Sequence, residues 1–452
     1  MKKILALVLF SFIISSPVFA KDEEKKKEEK TPIFDNMEDR TQKLNQEYSN
    51  NLIYSPFNSP FAQSRFVPDI ALITDFSYAY RNFTNDNLKN IKSKGFVNNG
   101  QSDLPIFNSR NGFNFNYAEL SLGSSVDPYF DMFTNFHLAE FGFEIEEAFV
   151  NTRTLPYGFQ IKAGKFFSSF GRINSQHSHY WDFSDSPAIY SNFLGEHNLL
   201  EKGVQINWLA PTELYILSGV EVFSGENEKS FGNRGFTSGT NKLENVNYPS
   251  LFTGFIKTSI DFDDLILLGG LSIAQGGSRV ISEEESTNSG MHIHALDPNI
   301  KTNFAGSTRL IGLDLTAKYF FDSYRYLSLQ SEFLQRAMTG SEYTDSSRIS
   351  TNREQSGFYS QLIWKFNQQW RVGGRFDLIT QNQIIQDNKN LNLEQFLPKY
   401  TAMLDFNPTE FSRIRLQFNH DRTKFLDNTQ IGLNEVFLQL NMSIGAHGAH
   451  SF

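Results

Sequence analysis

Pro68–Asn82 reads PDIALITDFSYAYRN, and the way its side chains divide decides the fold. In an extended chain Ile70, Leu72, Thr74, Phe76, Tyr78 and Tyr80 share one face, while Ala71, Ile73, Asp75, Ser77, Ala79 and Arg81 share the other. The first face is apolar and aromatic, the second mostly small or polar. A soluble sandwich would turn the apolar face to a core. Here the unit, a strand of about ten residues, recurs up to residue 444, and the connections between units are alternately short and long. That pattern points to the reverse arrangement, with apolar side chains to lipid and polar ones to a lumen.

The N-terminus supports export. Lys2 and Lys3 precede an apolar run from Ile4 to Ile14, and Val18-Phe19-Ala20 fits a small-x-Ala cleavage site, so residues 1–20 read as a signal peptide. The run is too short to serve as a spanning helix. Beyond it the best apolar stretch, Leu265–Ala274, is interrupted by Gly269 and Gly270. A chain with negative mean hydropathy that enters a membrane does so as a barrel, whose lipid-facing residues are only every second one.

Composition points the same way. The chain has 45 Phe and 17 Tyr in 452 residues, which suits the aromatic girdles of a barrel, and no Cys, so no disulfide framework holds it. The formal charge is −9, and more acidic still once Lys2 and Lys3 are cleaved away; nothing in it resembles a nucleic-acid footprint. Residues 21–67 differ from the rest. They begin as an almost pure Lys/Glu run and read as a charged, disordered periplasmic leader, with the barrel proper over 68–452.

Alternation places strands near 69–82, 113–123, 129–138, 141–151, 158–167, 203–210, 213–223, 250–261, 264–275, 308–320, 326–337, 356–366, 369–380, 399–406, 412–421 and 433–444. The expected fold is therefore an all-β, transmembrane antiparallel barrel of about sixteen strands, with short periplasmic turns and long extracellular loops. Ala139-Glu140 breaks the rule, being a short connection where a long one is due. Strand 4 also loses its alternation at Glu147, where a bulge is expected.

The phase defines an inward set. As pore-lining candidates it offers Asp131, Glu144, Lys162, Glu221, Lys365, Arg371, Arg375, Asp377, Asp405, Arg413 and Arg415, with the basic residues concentrated on strands 12, 13 and 15. The long connection 168–202 carries Trp181, Asp182, Asp185 and Glu196. In general diffusion porins, which this layout resembles, the corresponding loop folds into the barrel and sets its acidic residues against a ladder of arginines. The resemblance implies a constriction, with Asp182 and Asp185 facing Arg375 and Arg415 across a gap. The rival placement is an exposed surface loop.

Two H-x-H pairs, His177/His179 and His292/His294, are candidate metal ligands, because residues two apart in an extended segment present two imidazoles to one ion. Asp182, Asp185 and Asp297 are the carboxylates near enough in sequence to complete a site. The alternative is that these are ordinary polar loop residues. The segments GKFFSSFGRINSQHSHYWDF (Gly164–Phe183), Pro68–Asn82 and the tail GAHGAHSF resemble the barrels known as zinc-regulated TonB-dependent outer membrane receptors. That resemblance implies metal uptake under zinc limitation, with His177, His179, His447 and His450 inside the matching segments. The energised transporters have 22 strands and a plugged lumen, whereas the count here is sixteen and residues 21–67 are too few for a plug.

The functional expectation is a porin-like channel of the cell outer membrane for passive uptake of small solutes, extending to a divalent metal such as zinc. No cofactor is required, and Zn2+ is a candidate transient ligand. Expected partners are outer-membrane lipid, the outer-membrane assembly machinery, small solutes or metal ions and, in a homotrimer, further copies of the chain; nucleic acid is not among them. An enzyme is not expected, since the chain has no G-x-S-x-G, H-E-x-x-H or phosphate loop, and His420 and Asp421 point to opposite faces. The other reading is a surface adhesin or structural barrel without a transport role.

Overall fold

The computed structural model describes residues 68–96, 107–140, 142–281, 303–344 and 347–445. The signal peptide, the charged leader, His292, His294, Asp297 and the tail with His447 and His450 lie outside these residues. Sixteen antiparallel strands form a closed barrel. We label them β1 (Asp69–Arg81), β2 (Gly112–Ser125), β3 (Phe130–Ala139), β4 (Gly142–Thr152), β5 (Phe159–Phe167), β6 (Leu200–Leu209), β7 (Tyr215–Phe223) and β8 (Leu251–Phe262). The second half comprises β9 (Leu265–Val280), β10 (Asn303–Phe320), β11 (Tyr326–Tyr343), β12 (Arg348–Lys365), β13 (Trp370–Gln386), β14 (Leu397–Thr409), β15 (Ser412–Asp421) and β16 (Leu433–Gly445). Each pairs with its neighbours in sequence, and β1 closes the barrel on β16 from Ala71↔Gly445 to Arg81↔Glu435. Closure gives each of these strands a partner on both sides, and open strand edges are what the hydrocarbon interior of a bilayer would penalise.

The expected phase holds in β1. Ile70, Phe76, Tyr78 and Tyr80 are exposed on the outer surface, while Ala71, Ile73, Asp75, Ser77, Ala79 and Arg81 are buried inside. The same outer face carries Leu313, Leu315, Leu416 and Leu438 around the barrel. Exposed aromatics flank the short turns: Tyr129, Tyr157, Phe159, Trp208, Phe262, Phe321, Tyr324 and Trp364. An apolar belt bordered by aromatic rings is what a lipid bilayer with two polar interfaces selects.

One irregularity of the sequence pattern is confirmed, and two details depart from the expectation. The short connection after β3 is genuine, because Ala139 pairs with Gly142 and the β3–β4 hairpin is correctly placed. The long loop expected over 338–355 is instead strand, since β11 and β12 pair up to Tyr343↔Arg348 and turn through Thr344 and Ser347. β10 and β13 are likewise longer than the alternation indicated. Above the lipid belt both faces of a strand meet polar surroundings, so hydrogen-bonded pairing continues without an apolar period to mark it.

The bulge anticipated near Glu147 is present. The β3–β4 register runs Asn135↔Glu147 and then Phe136↔Ile145, which leaves Glu146 as the extra residue. A second bulge lies in β2, where Asn116 is extra between Asp75↔Tyr117 and Phe76↔Phe115. A bulge places two successive side chains on the same side, so Glu146 joins Glu147 and Asn116 joins Tyr117 at the inner wall.

Candidate functional site

Residues 168–199, between β5 and β6, fold back into the barrel. Their apolar side chains Phe170, Ile173, Trp181, Ala188, Ile189, Tyr190, Phe193, Leu194 and Leu199 are buried in one cluster with inward residues of the wall. The wall contributes Phe133, Phe149, Phe166, Phe223, Leu310, Leu334, Tyr359 and Ile379, drawn from eight strands. A short helix, α1 (Ala188–Phe193), sits in the middle of the loop with Pro187 at its N-cap position. Gly171 shows why the loop can turn here. Its φ is +63°, and a side chain there would collide with the Tyr190 hydroxyl and the Glu332 carboxylate.

Polar anchors surround this apolar seat. Glu332 of β11 accepts four hydrogen bonds: from the backbone N–H groups of Arg172 (2.7 Å) and Ile173 (3.0 Å) and the hydroxyls of Tyr190 (2.7 Å) and Tyr359 (2.6 Å). Burial, reinforced by Glu332, holds the Tyr190 hydroxyl protonated well beyond its ordinary range. Glu221 of β7 receives the Ser169 N–H at 2.8 Å and the hydroxyl of Ser168. Lys257 of β8 donates to the Gly171 carbonyl.

The acidic residues of the loop meet the basic wall in direct contact. Asp182 pairs with Arg371 at 2.8 Å, and Asp185 pairs with Arg375 at 3.1 Å and with Lys399 at 2.5 Å. The expected gap between loop and wall is therefore absent at these pairs, and the partner of Asp182 is Arg371. Arg415 instead clamps Asp405 through two contacts, at 2.7 and 2.9 Å, and Arg371 reaches the same carboxylate at 2.5 Å. Arg413 and Arg415 both donate to the Trp181 carbonyl, at 3.4 and 3.3 Å, and Arg413 also donates to that of His179 at 3.0 Å. Burial alone would raise the Asp185 carboxyl, but Arg375 and Lys399 outweigh it and hold the group well below the usual carboxylate range. Glu196 lies further along the loop and is half-buried.

The other sequence candidates also fall on the inner face. Lys162 lies over the rings of Phe149 (4.7 Å) and Phe166 (5.1 Å), and Asp377 accepts from the Ala188 N–H at 2.8 Å. Lys365 lies directly across from Arg371 in the β12–β13 register. Asp131 pairs with Arg153 at 3.2 Å, and Glu144 with Lys165 at 3.1 Å. Lys162, Glu221, Lys365, Arg371, Arg375, Asp377, Asp405, Arg413 and Arg415 are all under 8% exposed, so the inserted loop and the neighbouring side chains cover them.

His177 and His179 are buried beside the wall formed by β2, β3 and β4, with ring centroids 5.6 Å apart. Asp182 and Asp185 are not the carboxylates next to them, being engaged by arginines; Glu119, Glu146 and Glu147 are. His177 Nδ1 lies 3.5 Å from Glu119 and 3.0 Å from Glu146, and its Nε2 lies 2.8 Å from Glu147. His179 Nδ1 lies 3.2 Å from the same Glu119 oxygen. Burial would lower the His177 pKa, but Glu119 and Glu146 outweigh it and set it well above the ordinary imidazole value. Sequence reasoning did not select Glu119 or Glu146. The signal available for the second was the Glu146-Glu147 doublet at the break in alternation.

No family model matches the chain. It is 45% identical over 419 residues to an uncharacterized protein of Aquifex aeolicus (strain VF5), covering 92% of this chain and 86% of that protein. The chain belongs to the same family as that protein. Among solved structures it is similar to OmpT, an outer membrane protein of Vibrio cholerae in trimer form, with a TM-score of 0.49 at 7% identity over 84% of this chain and 99% of that one. It is also similar to an anion-selective porin from Comamonas acidovorans, with a TM-score of 0.46 at 12% identity over 83% of this chain and 99% of that one. A third is OprB of Pseudomonas putida, with a TM-score of 0.48 at 10% identity over 84% and 94% of the two chains.

Proposed function

We propose that the protein is a porin-like, non-enzymatic channel of the outer membrane, passing small hydrophilic solutes without energy coupling, and that the loop 168–199 controls its conductance. One observation carries the reading: a loop from the long-connection side of a sixteen-strand membrane barrel is seated in the lumen and tied to the wall by the Asp182–Arg371 and Asp185–Arg375 pairs. A barrel serving only as a surface scaffold has no need of a charged, specifically seated loop inside it. With the loop docked, the inner charges are covered; conductance then depends on how far the loop withdraws. Divalent metal ions are the solutes, or regulators, that the His177 neighbourhood suggests.

The test is planar-bilayer recording of the purified full-length protein against a variant lacking about ten residues around Trp181. The expected result is a channel whose conductance rises and whose ion selectivity weakens when the segment is removed. A correctly folded deletion variant with unchanged conductance removes the loop's control and leaves the channel, whereas a wild type and a deletion variant both silent under every condition remove the channel reading.

A further inference from the structure

The β4 bulge and the H-x-H turn bring together a set of donors that a solute channel does not by itself require. We propose that Glu119, Glu146, His177 and His179 bind one divalent transition-metal ion of the zinc type, stapling the inserted loop to the β2–β4 wall. The site stands on its own geometry; its influence on conductance rests on the channel reading above.

Spacing is the first argument. One carboxylate oxygen each of Glu119 and Glu146 and a His177 ring nitrogen all lie within 4.8 Å of one another. The closest separations among the proposed ligand atoms are 3.0 Å (His177–Glu146), 3.2 Å (His179–Glu119) and 3.5 Å (His177–Glu119). A tetrahedral zinc ion with bonds of about 2.0–2.1 Å holds its ligand atoms roughly 3.3–3.4 Å apart, so these contacts already match the edges of its coordination shell.

Unmet bonding capacity is the second. Glu119 and His179 are 1% and 2% exposed, yet His179 Nε2 makes no hydrogen bond, and Glu119 Oε2 is met by imidazole nitrogens, His179 Nδ1 at 3.2 Å and His177 Nδ1 at 3.5 Å. Buried polar atoms are nearly always satisfied, and here an unbonded imidazole nitrogen stands beside a carboxylate oxygen shared between two imidazoles. The charge count agrees. Three carboxylates, Glu119, Glu146 and Glu147, crowd two imidazoles, and a dication offsets the excess.

The surrounding contacts are those of a supported site. Glu147 Oε2 stands 2.8 Å from His177 Nε2 and orients that ring with Nδ1 toward the other carboxylates, the carboxylate–histidine–metal arrangement. Glu147 is itself held by the Phe167 N–H at 2.9 Å, and the second oxygen of Glu119 accepts from the Asn135 amide at 3.0 Å. Mixed imidazole and carboxylate donors favour zinc and its neighbours over calcium or magnesium, which take oxygen shells. Two of the ligands belong to the loop and two to the wall, so occupancy fastens one to the other.

The experiment uses the full-length barrel in detergent, stripped with a chelator and titrated with Zn2+ in competition with a chromophoric chelator. Hydrogen exchange of residues 168–199 is followed in parallel. Wild type is compared with Glu119→Gln, His177→Asn and, as a control at the rim, His420→Asn. We expect one zinc per chain, and a loss of affinity in the first two variants of at least the roughly 10–100-fold that removing a mere supporting partner costs. His420→Asn should match wild type, and zinc should slow exchange of the loop in wild type. That last measurement needs no variant, so a substitution that fails to fold leaves the test intact. Absence of stoichiometric zinc in wild type, equal affinity in all four proteins, or loop exchange indifferent to bound zinc overturns the proposal. Conductance of the chelator-stripped protein is read separately. Zinc binding without conductance removes the channel and leaves the site, whereas conductance without zinc binding removes the site and leaves the channel.

Discussion

Replacing Asp185 with Asn should release the loop from the basic wall without altering the barrel. The substitution keeps the shape of the side chain and its capacity to meet Gln417, 2.6 Å away, but removes the charge facing Arg375 and Lys399. Removing one member of a buried ion pair costs about 3–5 kcal/mol, largely because the remaining charge is stranded. Here neither cation is wholly stranded, since Arg375 keeps Asp377 at 2.9 Å and Lys399 keeps Asp421 at 3.9 Å. The lower end, about 3 kcal/mol, is therefore expected. At about 1.4 kcal/mol per factor of ten, docking of the loop weakens roughly 100-fold. Hydrogen exchange at Ala188–Phe193 should accelerate by that order, and the open probability in bilayer recordings should rise. The double variant with Arg375→Gln should lose less than the sum of the single losses. The same pair predicts the acid response. The Asp185 carboxyl is held below its free value of about 4, so its contribution is complete above that pH and is lost as pH falls through the depressed value. Acid should therefore open wild type further while leaving Asp185→Asn nearly insensitive in that window. A folded Asp185→Asn protein with unaltered loop exchange would refute this account of how the loop is held.

Glu332→Gln places an amide N–H among four donors that all require an acceptor, and should weaken loop docking by about 1–3 kcal/mol, read as faster exchange at Arg172 and Ile173. Leu315→Lys puts a charge on the outer face of β10, where Leu315 is exposed to lipid, and should cost about 2–4 kcal/mol in denaturant-driven folding into vesicles. An unshifted folding midpoint would mean that β10 faces lipid in the opposite phase.

The barrel was legible because lipid imposes a strict rule on every spanning strand. Alternation located all sixteen strands, and the break at Glu147 correctly signalled a bulge. Where lipid ends, the rule ends. Arg353, Glu354 and Gln355 continue β12 above the belt, yet nothing apolar marks one face there, so the segment reads as loop. The Asp182 and Asp185 contacts were half legible. A long acidic connection and a basic wall suggested that they meet, but which arginine meets which aspartate depends on the path of a loop whose conformation no periodicity dictates. The metal-ligand set shows the same division. The H-x-H pair was visible in sequence, whereas Glu119 is a single inward glutamate among many, and only the closing of β2 against the loop gives it significance.

The inner face explains why the loop can be held at all. A lumen lined only by charges would favour water over an inserted segment, because each charged group loses solvation when covered. This wall is not so lined. Between the charged rows, Phe133, Phe149, Phe166, Phe223, Leu310, Leu334 and Ile379 point inward and meet Phe170, Ile189 and Phe193 of the loop. Burial of that apolar surface supplies the non-directional attraction, at roughly 25 cal/mol per Å2 removed from water. The ion pairs supply little net attraction after desolvation, but they specify one seating, since any other leaves Arg375, Lys399 or Asp185 buried and unpaired. Inward aromatic residues on a membrane strand are thus neither lipid anchors nor errors of phase. They are the seat of a loop, and a strand with aromatics on both faces is the sign of one. Replacing Phe193, fully buried and stacked on Phe96, by Ala should test this division of labour. The loss, about 3–5 kcal/mol for a buried Phe, should exceed that from Asp185→Asn in loop exchange while leaving the pH response of conductance in place. A smaller loss than that of Asp185→Asn would show that charge, and not apolar contact, holds the loop inside.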